Sequence, residues 1–251
     1  MKPLLLGCSL ILSLAGGSAA PPDRPAVLVE LFTSEGCSSC PPADRFLARL
    51  LATQPVEGVE VIPIELHVDY WDRLGWKDPF SSAAFTRRQG RYSGVFGQDR
   101  IYTPQMVVDG HAEMVGSDES AALAAIRKAG AAAHLPLSVS TVVRDGILRL
   151  SVHAPPLPAR TDPVDVVAAV VEDRLSSSVR GGENNGRSLT HSAVVRRLES
   201  MGSLEKDGVS GERQWRLDPA WQPGNLRVVV FLQGRKSLRI YGAATSTPSS
   251  N

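Results

Sequence analysis

Cysteine is scarce in this sequence: Cys8, Cys37 and Cys40 are the three in 251 residues. Disulfide-built scaffolds close long loops with several widely spaced pairs, so a chain with one close pair is not stapled in that manner. Long apolar runs are also missing. The stretch Leu4 to Leu14 is shorter than the roughly 20 apolar residues that a membrane-crossing helix needs. No later run reaches that length, and no membrane span is expected. Charge of one sign is not in excess either, since Lys+Arg 27 against Asp+Glu 26 leaves a net charge of +1. The basic residues are interleaved with acidic and apolar ones, which argues against nucleic acid as a partner. A Gly-x-Ser-x-Gly elbow, a His-Glu-x-x-His helix and a paired-carboxylate pattern are all lacking, and with them the commonest hydrolase classes. Gly181 to Arg187 is glycine-rich but lacks the Gly-Lys-Ser/Thr ending of a phosphate loop, and neither flank reads as a strand leading to a helix. There is no internal repeat.

What is present is a globular composition, 43% hydrophobic and 21% charged, which supports a buried core and excludes disordered or fibrous classes. The length favours two domains. At the N-terminus Lys2, the apolar stretch and Gly16-Gly17-Ser18-Ala19-Ala20 have the order of a secretory signal over residues 1–20, cut after Ala20. A periplasmic or secreted mature chain is therefore expected. Leu5-Leu6-Gly7-Cys8 resembles the box at which bacterial lipoproteins are acylated, but only seven residues precede Cys8 and the apolar region continues past it. Cys8 is expected to leave with the signal.

The two remaining cysteines form Cys37-Ser38-Ser39-Cys40, at the point where the apolar run Ala26 to Phe32 gives way to a helical pattern of Ala43, Phe46, Leu47, Leu50 and Leu51. A pair with this spacing at a strand-to-helix junction suits reversible disulfide formation. Cys37 lies ahead of the helix, where unpaired N–H groups and the positive end of the dipole favour a thiolate. It is the expected nucleophile, and Cys40, one turn inside, the resolving thiol. Glu35 opposes this if its carboxylate approaches the thiol. Two other readings stay open. The pair is an inert structural disulfide, or Cys37, Cys40 and His67, with Asp69 behind, make a soft-ligand site for Cu(I) or Zn(II).

A second apolar run, Val59 to Leu66, is expected to pair in parallel with the first through the helical crossover. A helix follows from Ser81 to Arg91, with Asp78 as its cap and Pro79 at its first position. Ile101 to Val108 reads as a strand, Asp109-Gly110 as a tight turn, His111 to Val115 as the return strand, and Ser117-Asp118-Glu119 as the cap of a helix running to Ala133. The order is β-α-β-α-β-β-α.

Three segments carry a family likeness: Glu30-Leu31-Phe32-Thr33-Ser34-Glu35-Gly36-Cys37-Ser38-Ser39-Cys40-Pro41-Pro42, His67-Val68-Asp69-Tyr70-Trp71-Asp72, and Tyr102-Thr103-Pro104-Gln105-Met106-Val107-Val108-Asp109-Gly110. Together they resemble a family of secreted bacterial proteins with a thioredoxin-like domain and no settled function. The resemblance implies a thioredoxin-like α/β domain over residues 22–134. It also implies a cis bond before Pro104, which would face Cys37 and Cys40 across a cleft and free Thr103 to pair with an extended substrate. The resemblance supplies no substrate; the C-x-x-C pair itself makes protein, peptide or small-molecule thiols the expected partners, and no cofactor is expected.

Beyond Leu135-Pro136 come short runs, Leu137–Val143, Ile147–Val152, Val164–Val171, Leu189–Leu198, Gln214–Leu217, Leu226–Leu232 and Ser237–Ala243, separated by Asp145-Gly146, Pro155-Pro156 and Pro223-Gly224. They predict an all-β immunoglobulin-like sandwich over residues 135–244, serving to bind or orient a partner, and a disordered tail over 245–251. Trp71, Trp76 and Phe80 read as packing residues before a peptide-docking wall. Glu183 to His191 resembles the same family, and is either a loop packed against the first domain near Trp71 or a long hairpin loop whose Asn185-Gly186 supplies left-handed geometry.

Overall fold

The computed structural model describes residues 24–156, 162–204 and 206–250. The signal over 1–20 and Cys8 lie outside the described residues. The first half follows the expected element order: β1 (Ala26–Thr33), α1 (Pro41–Thr53), β2 (Glu60–His67), α2 (Ala83–Val95), β3 (Gln105–Val108), β4 (Ala112–Val115) and α3 (Glu119–Gly130). All eight residues of β1 are buried, as a run with no polar face demands. β1 pairs in parallel with β2 and antiparallel with β3. The β3–β4 turn has positive φ at Asp109 (49°) and Gly110 (60°), which glycine tolerates best. A side chain at residue 110 would also meet the Leu238 carbonyl oxygen at 1.9 Å.

The start of α2 differs from expectation. Ser82, not Asp78, caps it by accepting from the Ala84 N–H at 3.2 Å. The Asp78 carboxylate is engaged by His67, the Glu35 N–H and the Phe80 N–H instead.

The larger correction concerns the architecture. Its later strands are β5 (Ser138–Arg144), β6 (Ile147–Ala154), β7 (Val164–Glu172), β8 (Leu175–Ser178), β9 (Ser188–His191), β10 (Val194–Ser203), β11 (Val209–Arg216), β12 (Leu226–Gly234), β13 (Ile240–Ser246) and β14 (Ser249–Ser250). Four of them continue the sheet of the first half, giving one mixed eight-stranded sheet in the order β13-β12-β7-β10-β2-β1-β3-β4. The splice is at β2: Val194 pairs in parallel with Glu65, and the Glu65 N–H donates to the Ala193 carbonyl at 2.8 Å. The thioredoxin-like α/β domain and the separate immunoglobulin-like sandwich are therefore overturned by a predominantly β structure with three α-helices among the described residues. The physical reason is legible in burial. β7 and β12 are buried along nearly their whole length, so they need cover on both faces and take interior places in a wide sheet.

β11, β6, β5 and β14 make a second, four-stranded sheet. Its inward residues Leu148, Leu150, Val152 and Trp215 pack on Val164, Val166, Ala168, Val228 and Val230. The opposite face of β7 and β12, through Val167, Ala169, Val229 and Phe231, shares a core with Phe32, Ile64, Leu66, Phe85 and Tyr92. One apolar core thus crosses the junction expected at residues 134 and 135. Fully burying a side chain such as Phe32 or Phe231 stabilises by about 1.5–3 kcal/mol. A third cluster seats Phe46, Leu47 and Leu50 of α1 and Ile126 of α3 on the first-half strands. Thr245 and Ser246 pair with Val229 and Val228, and Ser249 pairs with Val142. The tail expected to be disordered is hydrogen-bonded as far as residue 250.

His134, just beyond α3, lies 2.7 Å through Nε2 from Asp109 Oδ2 in the β3–β4 turn. That hydrogen bond holds its pKa above the usual 6.5. A group whose folded pKa is raised contributes stability that is complete below its unfolded value and is lost as pH climbs through the folded value. Chemical denaturation of His134→Gln and the parent on either side of pH 6.5 should give a stability gap that narrows as pH rises above 6.5. A gap that widens with pH would show that the ion pair does not fasten the turn.

Candidate functional site around Cys37 and Cys40

β1 ends at Thr33, and the chain then turns sharply: the Cys37 N–H donates to the Ser34 carbonyl at 3.1 Å and the Cys40 N–H to the Cys37 carbonyl at 3.3 Å. These turns bring the two cysteine Cα atoms to 5.5 Å, and the sulfurs are joined as a disulfide. Cys40 is the N-cap of α1, with Pro41 and Pro42 at positions where a missing N–H costs nothing. Both cysteines are 0% exposed.

A segment distant in sequence packs on this loop. β8 and β9 form a hairpin whose connecting loop bonds the backbone on either side of Cys37. Asn184 Nδ2 donates to the Glu35 carbonyl (2.9 Å) and to the Cys37 carbonyl (2.8 Å). Glu183 Oε2 accepts from the Ser38 N–H and hydroxyl, at 2.9 and 2.7 Å. Gly181 fits because a Cβ there would meet the Gly75 carbonyl oxygen at 2.1 Å. Residues 183–187 join a hairpin, with positive φ at Gly186 (81°), and the loop packs near Trp76 and not only near Trp71, while residues 188–191, read as loop, form strand β9.

Beside the disulfide is a buried polar cluster of four carboxyl groups, Glu35, Asp44, Glu65 and Asp78, with two imidazoles, His67 and His191. The Glu35 carboxylate is engaged within this cluster. It accepts from Trp76 Nε1 at 2.8 Å and from the Ser177 hydroxyl, and its Oε1 is 3.2 Å from His191 Nε2. His191 Nδ1 is 2.9 Å from Glu65 Oε1, and His67 Nδ1 is 2.7 Å from Asp78 Oδ2. Burial by itself would depress both imidazoles. The Glu65 carboxylate nevertheless lifts His191 to about 9, and Asp78 lifts His67 well above its usual value. Burial raises Glu65, but the facing His191 overrides it and brings the carboxyl down to about 2. Asp44 is the exception: burial, aided by the Glu65 charge, pushes it up to about 7, against the pull of its Thr33 hydrogen bond.

The structure brings Cys37 and Cys40 together and makes the Thr103–Pro104 bond cis. Pro104 is buried at the entrance to β3; a Cβ added at Gly116 would meet both Pro104 Cβ and Ala43 Cβ of α1 at 3.1 Å. Thr103 accepts through its hydroxyl from Trp71 Nε1 at 2.8 Å. The soft-ligand set is not assembled. The sulfurs are bonded to each other, His67 is turned to Asp78, and Asp69 Oδ1 accepts from the Thr86 hydroxyl at 2.6 Å. Trp71 packs on the core as expected, and the Phe80 ring stands edge-on to His67 (5.3 Å) and His191 (5.6 Å). Sequence reasoning missed Glu65, Asp44, Asn184 and His191. The signal for Glu65 was available, because a carboxylate inside an otherwise apolar strand requires a buried partner.

A family described as protein of unknown function, DUF1223, matches residues 28–233. The chain belongs to DUF1223. Among solved structures, this DUF1223 chain is similar to an Agrobacterium tumefaciens protein determined by X-ray crystallography, at 26% identity and a TM-score of 0.66, over 87% of this chain and 92% of that one. A domain of the outer membrane lipoprotein Omp28 from Porphyromonas gingivalis aligns at 13% identity and a TM-score of 0.35, over 47% of this chain and 91% of that one. No curated protein matches.

Proposed function

We propose that this chain is an exported thiol–disulfide oxidoreductase acting on protein or peptide thiols through Cys37 and Cys40. The observation that carries the reading is the disulfide at the head of α1, where the helix start favours a thiolate on reduction. Asp44 adds to it. Residues four apart share a helix face, so Asp44 stands on the side of Cys40, and a carboxyl with its pKa near 7 exchanges protons readily at neutral pH.

In the oxidising direction a partner thiolate attacks Cys37 Sγ, the Cys37–Cys40 bond breaks, and Cys40 leaves as a thiolate that takes up a proton. A second partner thiol gives up its proton and attacks the partner sulfur of the mixed disulfide, expelling the Cys37 thiolate. Two partner thiols become one disulfide, and their two electrons pass to the Cys37 and Cys40 sulfurs. The reverse sequence reduces a partner disulfide. Export is supported by the N-terminal signal pattern and by the disulfide itself. No helix among the described residues is long and apolar enough to cross a membrane.

The complete burial of both sulfurs favours a second reading, a non-catalytic interaction protein with a structural disulfide. Equilibration of the pair against glutathione separates the two. The oxidoreductase reading expects a potential above about −300 mV, and a lower value would assign the bond to structure.

A further inference from the structure

Glu65, His67 and His191 place three potential ligand atoms within 4.8 Å of one another, all in buried residues. Glu65 Oε1 is 2.9 Å from His191 Nδ1 and 3.3 Å from His67 Nε2. Around a tetrahedral ion with bonds of about 2.0–2.2 Å, neighbouring ligand atoms stand about 3.3–3.6 Å apart, so side-chain shifts would admit an ion. His67 Nε2 carries the argument further. It is fully buried, yet it has no aligned hydrogen-bond partner among the described residues. The ring is not free to turn away, because Asp78 Oδ2 holds Nδ1 at 2.7 Å, which leaves Nε2 3.3 Å from Glu65 Oε1.

The outer partners have the arrangement of a metal site. An imidazole that binds metal through one nitrogen almost always engages a carboxylate, a carbonyl or water with the other. Asp78 takes that place for His67, and Glu35 Oε1, 3.2 Å from Nε2, takes it for His191.

We propose that Glu65 Oε1, His67 Nε2 and His191 Nδ1 bind one divalent first-row transition-metal ion of the Zn(II) class. Two imidazoles and a carboxylate suit such an ion. Mg(II) and Ca(II) prefer all-oxygen sites, and Cu(I) prefers sulfur. The ligands come from β2 and β9, so the ion would tie the hairpin that packs on the cysteine loop to the central sheet. None of them is a cysteine, and the site is complete while Cys37 and Cys40 remain bonded.

The test uses the full mature chain with its disulfide intact, stripped with chelator and then titrated with Zn(II) and with Co(II). One equivalent per chain is expected, with a Co(II) spectrum free of a thiolate charge-transfer band. Binding should weaken more than tenfold in His67→Ala and by about 10–100-fold in Asp78→Asn, and persist when both cysteines are serine. No uptake at micromolar metal overturns the proposal. So does equal uptake by His67→Ala, or uptake that requires reduction and shows the thiolate band. If His67→Ala does not fold, the stoichiometry and Co(II) spectrum of the oxidised parent decide. Because the redox potential is measured on the metal-free chain, this site and the oxidoreductase reading stand or fall separately.

Discussion

Glu30→Ala is expected to destabilise the protein by about 3–5 kcal/mol, the cost of leaving a buried charge without its partner. Glu30 sits in the middle of β1 with no exposed surface. The Arg88 guanidinium grips it with two hydrogen bonds, Nε to Oε2 at 2.5 Å and Nη2 to Oε1 at 2.9 Å. The Tyr92 hydroxyl also donates to Oε1. Arg88 reaches on to Gln233 Oε1 of β12 at 2.9 Å, and lies over the rings of Tyr92 and Phe231. Losing the carboxylate strands the guanidinium where the two halves of the chain share one core. Urea denaturation should therefore show a single transition at a lower midpoint, monitored equally by probes in either half. Replacing Glu30 and Arg88 together with methionine should cost less than Glu30→Ala alone, because no buried charge is left unpaired. A loss below about 1 kcal/mol, or two separate transitions, would contradict the role given to this pair.

The same residues show why the fold was only partly legible. Strand positions in the second half follow from hydrophobic runs and turn residues, and β6, β7, β12 and β13 lie close to where the sequence puts them. These runs are of two kinds. β6 alternates buried and exposed positions along its whole length, as a strand with one wet face does. β7 and β12 do not alternate, and their unbroken apolar character is the same signal that marks β1 as an interior strand. Alike, the runs predict a sandwich; as two kinds, they predict some strands for a wide sheet and others for a covering layer. No local pattern gives the β2–β10 pairing, because it joins residues 129 apart through Val194 and Glu65. Nor does one give the break at Ala193, where a φ of 58° ends the expected run from Leu189 to Leu198 and frees His191 to face Glu65. At the site, Cys37, Cys40 and the cis Thr103–Pro104 bond came from motif and family likeness. The residues that cover and surround the cysteines come from distant segments, and only the two charged positions inside apolar strands, Glu30 and Glu65, advertised buried partners.

Asn184→Ala should speed reduction of the Cys37–Cys40 disulfide by dithiothreitol about 5- to 150-fold. With both sulfurs at 0% exposure, a small thiol reaches them only when their cover opens, so the rate follows the population of the open form. Asn184 is itself fully buried, and its amide bridges the Glu35 and Cys37 carbonyls. Each such bond contributes about 0.5–1.5 kcal/mol net. Removing both shifts the opening equilibrium by about 1–3 kcal/mol, and 1.4 kcal/mol is tenfold. Glu183→Ala should act in the same direction but less strongly, because its bonds to Ser38 lie in water. Ser210→Ala, in the four-stranded sheet with its hydroxyl on exposed His153, should leave the rate unchanged and so controls for general loosening. An unchanged rate in Asn184→Ala would mean that the β8–β9 hairpin does not gate the sulfurs. A faster rate with the redox potential unaltered would make the hairpin a kinetic cover, which is what a partner docking on residues 183–187 would have to displace before thiol exchange begins.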